Sequence, residues 1–241
     1  MEHLLKKAKN LFSGYYNLLL LFLTALFVFR PYARSDLYLA GWKLLLTATL
    51  LTAIFNSKHS RAVRWVSSIL SVPTVIFCWL NLEHNMGPIF VANAACTIVF
   101  LTIVTTSVLY DVVLRARVTL ETLRGVICAY FMVAFVFAYV YYLIEFVTPG
   151  TFRLATEGLS VFSYTQYLSE MLYFSFVTLL TIGYGDIVAI KDVGQTAAVL
   201  EGIIGQFYVA ILVARLVSVY TFYGDKQLLK EFEHKQEKGS V

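Results

Sequence analysis

Apolar residues run along this chain in blocks of membrane length, separated by short polar breaks. A helix that crosses a bilayer needs about 20 predominantly apolar residues. The stretches near 12–29, 37–55, 62–82, 88–110, 123–147 and 195–220 meet that requirement, so six membrane helices are expected. The block 148–194 breaks the rhythm. It holds a polar stretch, TPGTFRLATEGLSVFSYTQ, then an apolar run, YLSEMLYFSFVTLL, then TIGYGD at 181–186. The apolar run is too short to span and is expected to form a re-entrant helix. Thr165 or Ser169 would cap its start, and Glu170 in its first turn would sit on the positive end of its dipole. Its end is expected near Leu180, with the carbonyl end pointing into the membrane.

Composition agrees with that pattern. The 241 residues are 59% hydrophobic and only 14% charged, outside the range of an ordinary soluble domain. A net charge of +4 is spread in short clusters between apolar runs, which reads as topology signals and not as a nucleic-acid surface. Lys6, Lys7 and Lys9, then Lys58, Arg61 and Arg64, then Arg115, Arg117 and Arg124, then Lys226, Lys230, Lys235 and Lys238 mark the cytoplasmic side. The loop NLEHNMGP carries only Glu83 as a firm charge and falls outside. Both termini are thus expected in the cytoplasm, with Arg30 and Arg34 as the exception to the rule. The opening MEHLLKKAKN followed by an apolar run has the look of a signal peptide, but no A-x-A-like site follows, and a retained first span is expected. Cys78, Cys96 and Cys128 lie in apolar segments without CxxC spacing or a nearby His cluster, so they read as small buried hydrophobes. No cofactor is expected. The absence of HExxH, GxSxG and an intramembrane Asp pair leaves no enzymatic reading.

The two glycines of TIGYGD stand where non-helical backbone is tolerated only if it is buried in protein or lines a water-filled path. A cation crossing hydrocarbon needs replacements for its hydration shell, and rings of backbone carbonyls supply them, as in potassium channel TVGYG loops. Turning successive carbonyls toward one axis requires conformations that β-carbons obstruct, so glycine at alternate positions, here Gly183 and Gly185, suits the task. The carbonyls of Thr181, Ile182, Gly183 and Tyr184, with the Thr181 hydroxyl, would make stacked K+ sites below Asp186. Tyr184 would point away from the axis as a strut against Tyr173, Phe174 and Phe176.

Across roughly 126–220 the chain resembles the potassium channel family in its order of outer helix, pore helix, filter and inner helix. The resemblance rests on S175-F-V-T-L, T181-I-G-Y-G-D186 and Gly205 within EGIIGQFYVAILVARLV. It implies a homotetramer, because one loop of four is present per chain. It also implies a gating hinge at Gly205 and support of the filter by the pore-helix residues Tyr173, Phe174, Val177 and Thr178. Two positions depart from the family pattern. Leu180 stands where a threonine commonly precedes the filter, which bears on stability or blocker response. Val177 stands where some relatives carry a carboxylate for the filter aspartate, so Asp186 must find another partner or water. Pacemaker-type relatives pass sodium through GYG, yet carry cysteine where Thr181 stands here, and Thr181 favours the selective version.

The fourth span, 88–110, carries no charge. Each gating charge contributes only about 2.3 kcal/mol per 100 mV, so a voltage sensor needs several. Steep voltage gating is not expected, and Lys43 in the second span reads as snorkelling or paired. After Leu216 too little chain remains for a cytoplasmic ligand-binding domain, which needs on the order of 100 residues. The tail forms either a short amphipathic helix or bundle through Leu228, Leu229 and Phe232, or a frayed end. In the last span Gln206, Val209, Val213 and Val217 would line a water-filled cavity, unless Gln206 makes an interhelical hydrogen bond. Glu201 would support the filter from behind, Glu145 would be interfacial, and His84 and His234 would be solvated loop and tail residues.

The expected organisation is a cytoplasmic N-terminus at 1–11, a four-helix transmembrane domain at 12–110, a linker at 111–125, a pore domain at 126–220 and a tail at 221–241. The fold class is an all-α membrane protein with six transmembrane helices, a re-entrant pore helix and a filter loop. The expected function is passive, potassium-selective conduction across a prokaryotic plasma membrane by a homotetramer in lipid. The alternative is a non-conducting subunit of a heteromeric channel. The expected ligand is K+, and no nucleic acid is expected as a partner.

Overall fold

The computed structural model describes residues 16–29, 44, 47–48, 51, 61–80, 87–114, 120–154 and 164–239, and side chains at 16–29, 44, 47–48, 51, 65–76, 91–110, 121–154 and 167–215. The expected second span lies mostly outside these residues, as do Lys43, Arg30, Arg34 and His84. The side chains of Val217 and His234 also lie outside them.

The described elements are α1 (Asn17–Val28), α2 (Arg61–Leu80), α3 (Gly87–Leu114), α4 (Leu120–Val147), β1 (Phe152–Leu154), α5 (Tyr164–Leu179), β2 (Ile187–Ala189) and α6 (Asp192–Gly239). Local chemistry explains several ends. Pro88 sits in the first turn of α3, where its missing N–H costs nothing. Glu121 in the first turn of α4 faces the positive end of the dipole and pairs with Arg124 at 3.2 Å. Pro149 stops α4, and Gly150 takes the left-handed turn that follows, with φ of 75°. Three described segments are long and apolar enough to cross a membrane: Val91–Tyr110, Glu121–Val147 and Asp192–Arg215. Two shorter apolar stretches, Asn17–Val28 and Trp65–Ile76, accompany them.

α4 is the hub of the core and packs on α1, α3, α5 and α6. α2 and α3 meet through an inverted face. Trp65, Ile69, Val72 and Ile76 are exposed on α2, while Ser67, Ser71 and Thr74 are buried. The Thr74 and Thr97 hydroxyls meet at 3.2 Å across the two helices. That is the arrangement expected when the surroundings are hydrocarbon and polar side chains hold helices together.

The structure corrects the sequence reading in four places. α3 and α4 extend into the expected linker 111–125. α5 begins at Tyr164, so Ser169 is a buried mid-helix residue and Glu170 lies in the second turn, not the first. α6 runs unbroken to Gly239, about 72 Å at 1.5 Å per residue, well beyond a hydrocarbon core of about 30 Å. Finally, the fold is not purely helical. β1 and β2 pair antiparallel, Phe152 with Ala189, Arg153 with Val188 and Leu154 with Ile187, and so close the excursion that contains α5 and the TIGYGD loop.

That closure is clamped by Glu145, which the sequence reading left as interfacial. Its carboxylate accepts the backbone N–H groups of Gly150 (2.7 Å), Thr151 (2.8 Å) and Phe152 (3.0 Å). Lys191 donates to the Pro149 carbonyl at 2.5 Å. Gly194 permits the close approach of α6, because a Cβ there would lie 2.5 Å from Thr151 Cγ2.

Candidate functional site

The site grows out of the C-terminus of α5. The Ile182 N–H donates to the Val177 carbonyl and the Thr181 N–H to the Thr178 carbonyl, both at 2.9 Å. This crossed pair is a Schellman ending, which requires a left-handed residue immediately after the helix. Glycine usually fills that place, but here it is Thr181, with φ of 57°. A β-branched residue in this region is strained, at a cost of about 1–3 kcal/mol, and such strain clusters at functional sites.

Gly183 (φ 63°) and Gly185 (φ 79°) continue the pattern, and the residues between them are not left-handed. In an extended strand neighbouring carbonyls point to opposite sides. A chain alternating in hand brings N–H groups to one edge and carbonyls to the other, which makes an ion-binding concavity. Nothing lies within 4 Å of a Cβ built at either glycine. The backbone conformation, and not lack of space, is what demands glycine here. Within one chain Thr181 to Asp186 are all exposed.

Behind the loop, each α5 residue singled out in the sequence has a distinct place. Tyr173 donates its phenol to Asp186 Oδ2 at 2.6 Å, and the second Asp186 oxygen accepts the Ile187 N–H at 3.0 Å. Asp186 thus has the partner that Val177 could not supply. Val177 and Thr178 hold the loop through their carbonyls. Phe174 faces the other way, its ring 5.0 Å from Tyr141 and 5.5 Å from Phe152. Phe176 is edge-on to Phe27 of α1 at 4.6 Å and to Phe131 at 5.2 Å. The strut contact expected for Tyr184 with these two rings is therefore not made within one chain, where Tyr184 is 69% exposed.

α6 turns one buried stripe inward, Gly194, Ala197, Glu201 and Gly205, of which Gly194 meets the β1–β2 closure while Glu201 and Gly205 meet α5. A Cβ at Gly205 would lie 2.9 Å from both Leu179 Cδ1 and the Leu179 carbonyl oxygen. In this structure Gly205 is a point of close approach to α5. The same Leu179 carbonyl accepts the Tyr130 hydroxyl at 3.0 Å. Tyr208 stacks near Tyr130 at 5.2 Å and bonds the Val126 carbonyl at 2.5 Å. Glu201 is fully buried, with its oxygens bonded by Ser175 of α5 and Tyr141 of α4. Sequence reasoning missed Tyr130, Tyr141 and Gly194, and it named Ser175 only as part of the family resemblance, without its bond to Glu201. The lone carboxyl in an apolar span was the available signal, since a buried carboxyl requires hydroxyl or N–H donors from the facing helices.

On the opposite side α6 is open. Thr181, Val199, Gly202, Ile203, Gln206, Phe207 and Ala210 line a concave cavity of about 510 Å³. Gln206 thus shares the loop's side of the helix. Val213, seven residues on, falls within about 20° of Gln206 around the helix, while Val209 lies about 60° away. Both valines are exposed in the single chain, at 53% and 46%.

Residues 125–222 match the model of a family described as ion channel. The chain is also similar to Protein LctB of Bacillus caldotenax, with 30% identity over 106 residues that cover 42% of this chain and 74% of LctB. No solved structure matches.

Proposed function

This chain belongs to the ion-channel family, and we propose that it is a potassium-selective channel whose filter is Thr181, Ile182, Gly183, Tyr184, Gly185 and Asp186. K+ would be coordinated by the carbonyls of Thr181 to Tyr184 and by the Thr181 hydroxyl. Four copies would surround one axis in a plasma membrane, each with six spans and both termini cytoplasmic, and Gln206 and Val213 would face the cavity below the filter. Conduction would be passive and not steeply voltage-dependent, because the stretch 88–110 carries no charge to move.

The observation that carries this reading is the alternation of hand at Thr181, Gly183 and Gly185 at the end of a short helix. Isolated left-handed glycines are common in turns. Three left-handed positions at alternate residues, the first a strained threonine, have no use in a simple turn and suit a row of carbonyls aimed at one axis. The exposed apolar surface of α6 favours assembly. The span Asp192–Arg215 is 17% buried within one chain, against 50% for Glu121–Val147.

Flux through the purified protein in liposomes tests the reading. A potassium gradient should drive flux and an equal sodium gradient should not, with little change across imposed voltages. Equal sodium flux would refute selectivity, and a steep voltage dependence would refute the reading of the fourth span. A native mass other than four copies would refute the tetramer.

A further inference from the structure

Glu201 sits in the middle of the buried face of α6, fully out of reach of solvent in the single chain. One carboxyl oxygen lies against the Tyr141 hydroxyl of α4 and the other against the Ser175 hydroxyl of α5. The Ser175 hydroxyl also lies 2.8 Å from the backbone carbonyl oxygen of Ala134 on α4. Three close oxygen pairs therefore share one buried site, and each needs a proton between its two atoms.

The two hydroxyls carry one proton each, and a backbone carbonyl carries none. With Glu201 ionised, Ser175 could serve either Ala134 or Glu201, and the other pair would be lone pairs face to face in a low-dielectric interior. A proton on the carboxyl closes the count. Glu201 then donates to Ser175, Ser175 donates to the Ala134 carbonyl, and Tyr141 donates to the remaining carboxyl oxygen. The surroundings agree. The groups bonded to Glu201 are the phenol of Tyr141 from α4 and the hydroxyl of Ser175 from α5, and the Tyr130 phenol of α4, bonded to the Leu179 carbonyl, is within electrostatic reach. One turn to either side on α6 stand Ala197, Ala198, Ile204 and Gly205. No Lys or Arg stands within one turn of Glu201, Tyr141 or Ser175 along their own helices.

We propose that Glu201 is a neutral carboxylic acid that positions α5 on the inner helix, and that this tie holds only while the proton is in place. Ser175 is two residues from Val177, whose carbonyl accepts the Ile182 N–H at 2.9 Å. Displacing α5 at Ser175 therefore displaces the loop at Ile182. The functional half of this inference rests on the conduction reading above, while the protonation half does not.

The test uses full-length wild type and Glu201→Gln in liposomes, with infrared difference spectra and potassium flux recorded on the same preparations from neutral to alkaline pH. Glutamine supplies an N–H toward Ser175 and a carbonyl for Tyr141 without a titrating proton. At neutral pH the carbonyl stretch of a protonated carboxylic acid should be present in wild type and missing from Glu201→Gln. On alkalinisation that band should fade and wild-type flux should fall with it, about tenfold per pH unit beyond the midpoint, the slope of one proton. The variant should keep its flux over the same range. Absence of the neutral-pH band would overturn the protonated carboxyl. A band accompanied by identical flux profiles in the two proteins would overturn the positioning role. A band with no flux from either protein at any pH would support the carboxyl and overturn the conduction reading.

Discussion

Gly205 offers a direct measure of how tightly α6 is fitted to the end of α5. Replacing glycine by alanine in a helix interior ordinarily stabilises by about 1 kcal/mol. Here the added Cβ would meet two atoms at 2.9 Å, Leu179 Cδ1 and the Leu179 carbonyl oxygen. The side-chain atom can rotate away. The carbonyl cannot give without shifting the C-terminus of α5, which the Tyr130 hydroxyl also holds at 3.0 Å. Overpacking of this kind costs about 1–3 kcal/mol, so Gly205→Ala should be destabilising by about 1 kcal/mol net. Gly202, three residues earlier on the same helix, has nothing within 4 Å of a built Cβ and is the matched control. Gly202→Ala should keep the propensity gain of about 1 kcal/mol. Thermal unfolding of the two variants in micelles reads the difference, and potassium flux should fall in Gly205→Ala because the Leu179 shift is passed to Thr181. Equal or higher stability of Gly205→Ala relative to Gly202→Ala would refute the close-approach account.

Other consequences can be checked on the same preparations. Gly183→Ala forces a side chain into φ of 63°, which costs about 1–2 kcal/mol and turns the proposed filter carbonyls; flux should vanish while the protein stays in the membrane, and normal flux would sink the filter assignment. Tyr173→Phe removes the 2.6 Å bond to Asp186, an exposed contact worth about 1 kcal/mol; sustained flux should decay faster than in wild type, and an unchanged time course would show that Asp186 needs no partner. Glu145→Ala leaves three backbone N–H groups without their acceptor, at about 1–3 kcal/mol, so its Tm should drop, with Glu145→Gln in between. A Tm equal to wild type in Glu145→Ala would mean that solvent replaces the carboxylate.

The fold was legible in the sequence wherever hydrophobic period and length carry the information. The stretches 88–110 and 123–147 fall inside α3 and α4, and the short apolar run before TIGYGD is a helix ending within a residue of expectation. What escaped was set by tertiary partners. No local pattern marks residues 152–154 and 187–189 as strands, because they pair with each other across the whole of α5 and the loop. Glu145 reads as an ordinary interfacial acid until the turn at Gly150 folds back over it. Gly205 was visible as a glycine, but its contact with Leu179 depends on where α5 ends in space. Thr181 is the sharpest case. Sequence logic assigned the special backbone to the glycines, while the Schellman ending of α5 imposes the same left-handed conformation on a β-branched residue.

The exposure of the loop bears on what the working unit must be. Thr181 to Asp186 are exposed on the open side of α6, and past the Thr181 and Ile182 N–H groups that bond back to α5 the loop turns its backbone outward, in a chain with three apolar segments of membrane-crossing length among its described residues. Lipid cannot accept that backbone, since each unsatisfied peptide group in a bilayer core costs several kcal/mol. Water or further protein must therefore face it. The cavity formed by Thr181, Gly202 and Gln206 provides for water on one flank. Ile182 and Tyr184, exposed at 46% and 69%, call for protein on the other. The proposed ring of identical copies would supply both at once, because a head-to-tail contact that closes on itself would turn each exposed apolar flank onto its neighbour and leave the carbonyl edge on the common axis. In that proposed ring Glu201, Gly205 and Tyr208 stay on the inner side of each chain's own core, so the force that holds α5 in place is internal to a subunit while the geometry of the ion path is shared by all of them.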